Sequence, residues 1–126
     1  GDIMVREPVV IDPDLSVADA IEDYFLRYGY GGFPVAAGGR VEGVLSLAMV
    51  QKCPREARAT TRVREIMRRD LAGVAIAPEA PVAEALGRMG DERVGRLLVL
   101  SGDALVGLVT RSGVARFVDY KTRLET

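Results

Sequence analysis

The 126-residue sequence has no histidine, no tryptophan and a single cysteine. Without histidine the commonest metal ligand and general base is missing, so these residues assemble neither an H-E-x-x-H zinc site nor a histidine-based triad. The lone Cys53 excludes an internal disulfide, which fits a reducing compartment, and reads as an unreactive, partly buried thiol. Charge of one sign is also lacking: 17 basic side chains face 18 acidic ones, so no net field favours a nucleic-acid partner. The apolar runs are too short to span a bilayer, and the N-terminal GDIMVREP has neither the basic nor the apolar region of a signal peptide. No G-x-x-x-x-G-K-[ST] phosphate loop occurs, and the glycines of Gly29 to Gly32 follow a helical pattern and precede a strand, the reverse of the dinucleotide-binding context.

What the sequence does have is a repeat. Ile11 to Ile21 matches Ile76 to Leu86, 65 residues on, and Val41 to Val50 matches Leu105 to Val114, 64 residues on. Ile3-Met4 returns as Ile66-Met67, 63 residues on. Offsets that drift by one or two residues mark short loop insertions between packed elements. With 48% hydrophobic residues the two copies are enough for one compact core.

Each copy reads as strand, helix, strand, strand, helix. Val17, Ala20, Ile21, Tyr24, Phe25 and Tyr28 line one helical face, with Ser16 and Asp19 as an N-terminal capping signature and Gly29 placed to end the helix. Pro81 opens the matching helix, whose stripe is Val82, Ala85, Leu86 and Met89. Phe33 to Ala36 and Val41 to Ser46 predict a hairpin turning at Gly38-Gly39, and Leu97 to Leu100 with Leu105 to Thr110 predict its counterpart. Short helices are expected over Leu47 to Lys52 and Ser112 to about Tyr120. Pro54 to Arg62 reads as a linker, and Val63, Ile66 and Met67 as a short helix after it.

The repeated P-x-x-x-V-x-x-A, hydrophobic-Pro-Val and Gly-hydrophobic-hydrophobic-Ser/Thr elements resemble the CBS domain, named after cystathionine β-synthase, over essentially the whole chain. The resemblance implies an α/β (α+β) fold of two βαββα CBS repeats, 1–62 with the linker and 63–126, packed by pseudo-twofold symmetry through their sheets as one Bateman module. It also implies a homodimer, and a regulatory ligand such as AMP, ADP, ATP or S-adenosylmethionine bound in a cleft between the repeats. Glu22 to Val35 and Lys52 to Val63 look like the cytoplasmic CBS pair of site-2-protease-type membrane zinc metalloproteases. That likeness implies a cytoplasmic regulatory segment attached to an effector, with no catalytic residue and no membrane span of its own.

In nucleotide-binding CBS repeats the strand-to-helix junction reads Gly-x-x-Ser/Thr-x-x-Asp, with the hydroxyl and helix start toward phosphate and the Asp on the ribose. Here both hydroxyls are present, as Ser46 and Thr110, while Met49 and Gly113 replace both carboxylates. A ribose diol without its carboxylate forgoes about 1.5–3 kcal/mol per charge-assisted bond. The second copy carries Arg96 before its hairpin and Arg111 beside Thr110, a pair of guanidiniums suited to an anion; the first copy has Gly32 where the second has Arg96. The competing reading has Arg96 and Arg111 solvated or paired with Asp91, Glu92 or Asp103, and Ser46 and Thr110 as plain helix caps.

Two weaker signals complete the reading. Tyr24, Phe25, Tyr28 and Tyr30 form an aromatic stripe that belongs to the core, to a base-stacking surface or to a dimer face. Arg58, Arg62, Arg64 and Arg68 form a solvated linker and helix face, or meet anionic headgroups below a membrane domain.

Overall fold

The computed structural model describes residues 4–5, 8–71, 75–78, 96–110 and 124. The chain divides into two compact units, Val9–Leu71 and Gly1–Pro8 with Ala72–Thr126, here the first and second units. Helices and a largely antiparallel sheet make the fold α+β.

In the first unit Ser16 has extended backbone angles, and its Oγ accepts the Asp19 N–H at 3.0 Å, opening helix α1 (Val17–Ala20). A π-helical turn over Ile21–Phe25 follows, then α2 (Leu26–Tyr28), which Gly29 ends at φ 70°. The sequence pattern predicted one α-helix without the π turn. In that turn the Leu26 N–H reaches back five residues to the Ile21 carbonyl, so later side chains lag behind the α-helical stripe. Phe25 is buried, while Tyr28, the last residue of α2, sits at the rim, 38% exposed.

Each unit carries one hairpin. In the first unit β2 (Gly32–Ala37) pairs antiparallel with β3 (Arg40–Ser46), and Gly38 and Gly39 turn the chain at φ 60° and 80°, a conformation that suits a two-residue hairpin loop. In the second unit β5 (Arg96–Ser101) pairs antiparallel with β6 (Ala104–Thr110), turning at Gly102 with φ 64°. Both ladders slip at equivalent places, between Val35 and Ala36 and between Val99 and Leu100. The repeat is therefore preserved in pairing register as well as in residue type.

The flanking strands obey the same equivalence. Ile11 bridges Val35 in parallel, as β4 (Ala75–Ile76) pairs parallel with β5 through Ile76 and Val99. On the other hairpin strand Arg68 pairs antiparallel with Val44, as Val5 of β1 (Met4–Val5) pairs with Leu108 of β6. Segment 63–71 thus belongs with the first unit, held by reciprocal 2.9 Å hydrogen bonds between the Arg68 and Val44 backbones. The compact units and the sequence repeats cut the chain at different places.

The first unit closes over Ile11, Val17, Phe25, Phe33, Val35, Leu45, Val50 and Val63, all buried. Gly43 lies beneath segment 67–68, where a Cβ would stand 2.5 Å from the Arg68 carbonyl oxygen and 3.0 Å from Met67 Sδ. Residues 54–62 are more than a linker. They form a 3-10 turn at Arg55–Ala57, and the Arg58 and Thr61 carbonyls accept the Ala18 and Val17 N–H groups at the start of α1. The expected helices at Val82 to Met89 and Ser112 to Tyr120 lie outside the described residues.

Candidate ligand-binding site

The two hairpins differ in what they set opposite the hydroxyl residue that ends each second strand. In the first unit Gly32 pairs with Ser46, the last residue of β3. Helix α3 (Leu47–Lys52) starts there, and Ser46 Oγ accepts the Met49 N–H at 3.3 Å while the Leu47 N–H donates to the Gly31 carbonyl at 2.9 Å. Ser46 is therefore a helix cap, and α3 has already spent two of its free N–H groups within the protein. Met49 is half-buried against the core.

In the second unit the equivalent ladder position pairs Arg96 with Thr110. Sheet register thus brings together two of the residues the sequence singled out, at the end of the hairpin away from its turn. Asp103 lies in that turn, at the other end of the hairpin from the paired Arg96 and Thr110 backbones. Arg111, Gly113, Asp91 and Glu92 lie outside the described residues.

The aromatic stripe divides between core and rim. Phe33 makes T-shaped contacts with Phe25 and Tyr24 at ring separations of 5.0 and 5.7 Å. Tyr28 and Tyr30 stack at 5.5 Å, both more than a third exposed, and the Arg27 guanidinium lies 5.7 Å from the Tyr28 ring centre.

The linker arginines are engaged inside the first unit. Arg58 Nε donates to the Cys53 carbonyl at 3.1 Å, and Arg62 Nη1 donates to the Asp14 carbonyl at 3.1 Å. Arg64 bridges two carboxylates, Asp14 at 2.8 Å and Glu42 at 3.2 Å. Its hydrogen bond holds the Asp14 carboxyl below the ordinary range, with further help from the charges of Arg64 and Arg62. Sequence reasoning placed these arginines but not their partners, since Asp14 and Arg64 are separated by 50 residues and no local pattern links them. Cys53 is buried, its thiol 3.9 Å from the Pro54 carbonyl. Among the described residues no helix is long and apolar enough to cross a membrane.

Comparison with known proteins agrees with this architecture. A protein of Mycobacterium tuberculosis named as a zinc metalloprotease, Rip3, is 32% identical over 94% of this chain and 31% of its own length. The chain spans about 30% of the length of the curated relatives it matches first. Among solved structures, one described as an acetoin utilization protein (AcuB) from Vibrio cholerae superposes with a TM-score of 0.84 at 22% identity, covering 98% of this chain and 92% of that one. The cytosolic domain of the Mg2+ channel MgtE in complex with ATP has a TM-score of 0.74 at 25% identity, covering 91% of this chain and 46% of that one. The CBS-domain family model matches residues 1–53 and 63–120. With its register repeated as its sequence is, the chain belongs to the CBS-domain family as a tandem pair, resembling the CBS segment of site-2-protease-type zinc metalloproteases.

Proposed function

We propose that this chain is a regulatory module whose second repeat takes an anionic ligand, an adenine nucleotide foremost, and conveys its presence to an attached effector. CBS domains are regulatory, ligand-sensing modules and not catalytic ones. The observation that carries the reading is the pairing of Arg96 with Thr110, where the first unit has Gly32 and a Ser46 hydroxyl already used as a cap. Arg111 and Gly113 complete the proposed site by sequence, one adding charge and the other leaving room where a carboxylate is absent. The ATP complex of the MgtE domain supports a nucleotide, and the metalloprotease name of the Rip3 relative supports a membrane protease as the effector, with the module on its cytoplasmic side.

Calorimetry with AMP, ADP, ATP and S-adenosylmethionine tests the ligand. At least one binds at millimolar concentration or better, and Arg96→Ala weakens it about tenfold or more, the loss expected for a charge-assisted bond. No binding by any of the four removes the ligand from the proposal.

A second reading, a ligand-free module that dimerises or docks its effector, draws on Met49 and Gly113 in place of carboxylates and on the exposed Tyr28, Tyr30 and Leu47. Light scattering separates the two. A dimer unaffected by any nucleotide supports this second reading, and a monomer at high concentration opposes it.

A further inference from the structure

The two repeats exchange their leading segments. Ile3-Met4 and Ile66-Met67 are sequence equivalents, yet the segment leading the second repeat pairs with β3 of the first unit. The segment leading the first repeat pairs with β6 of the second. Residue 5 therefore belongs to one unit and residue 9 to the other. Pro8 lies between them and cannot donate a hydrogen bond to prolong the ladder.

From this we infer that β1 is a detachable strap through which whatever chain precedes residue 4 acts on the second unit, and not on the first unit that adjoins it in sequence. Among the described residues the strap is the two-residue strand Met4–Val5, and a strand of that length opens at the low end of the range of local stabilities without unfolding the hairpin it covers. Its position is consequential. Met4 stands opposite Val109, the neighbour of Thr110, which pairs with Arg96. A pull on the N-terminal side is delivered one residue from the proposed anion site, while Val9 packs on the first unit's core and anchors the chain there. The inference stands whether or not that site binds an anion.

Backbone hydrogen exchange on the full chain tests it. The counterpart pair, Arg68 with Val44, exchanges both N–H bonds, so Val5→Pro removes the donor expected at that ladder position. In Val5→Pro, exchange through 96–101 and 104–110 accelerates about tenfold while 32–37 and 40–46 keep their wild-type rates. Val5→Thr, which keeps the donor and a strand-favouring side chain, leaves both hairpins unchanged. Should the proline chain fail to fold, Val5→Gly shows the same one-sided pattern in weaker form. Equal acceleration in both hairpins, or no change in 96–110, overturns the inference.

Discussion

The carbonyl oxygen of Arg68 lies 2.5 Å from where a Cβ on Gly43 would stand. The glycine of the Gly-hydrophobic-hydrophobic-Ser motif is thus required by a strand that crosses it. Gly43→Ala pushes against backbone, which cannot swing aside as a side chain does. It destabilises the chain by about 1–3 kcal/mol, the range for overpacked sites, and a lowered urea midpoint with unchanged nucleotide affinity checks it.

Ser46→Ala removes the oxygen that accepts the Met49 N–H. The expected loss is about 1 kcal/mol of stability, with Ser46→Thr close to wild type. Because the hydroxyl serves as a cap, nucleotide affinity moves far less in Ser46→Ala than in Arg96→Ala; a larger effect at Ser46 would relocate the site to the first repeat.

Asp14 and Arg64 give the fold a weak acid dependence. The Asp14 carboxyl is held below its ordinary value, so its contribution is present above the unfolded-state pKa of about 3.9 and is lost as pH falls through the lower folded value. Asp14→Asn is therefore less stable than wild type near pH 7, and the difference shrinks as pH falls below the ordinary carboxylate range. The pair is solvent-exposed, so added salt also shrinks the gap at pH 7. Thermal melts followed from pH 7 downward, at two salt concentrations, measure it.

Phe25 and Tyr28 both fall on the sequence stripe but differ in burial. Phe25→Ala empties a buried site and costs about 3–5 kcal/mol. Tyr28→Ala removes a rim side chain and costs well under half of that. Equal losses in chemical denaturation would mean that Tyr28 is as buried as Phe25.

Features set by a few neighbouring residues were legible in the sequence. The Ser16 cap, the Gly29 terminus, the Gly38-Gly39 turn and helix Leu47–Lys52 each follow from local backbone chemistry. Duplication made the hairpins legible twice over. The π turn left no trace, because it alters how residues project without altering their order. The Arg64 bridge and the leading-segment exchange were hidden for a different reason: each joins residues far apart in the chain, and polar or short segments carry no periodicity that names a partner. Of the candidate site, pairing register supplied the Arg96 and Thr110 relation, which the sequence had only as two separate residues.

The exchange of leading segments separates the unit that was duplicated from the unit that folds. A gene cut at the repeat boundary yields two fragments, each lacking the outer strand its hairpin needs and carrying the one that belongs to the other. Residues 1–62 would also start α1 on the Arg58 and Thr61 carbonyls but leave β3 without Arg68. Such fragments should recover their structure on mixing, as complementing pieces of one protein, while a cut placed after Leu71 leaves the first piece whole and deprives only the second of residues 1–8.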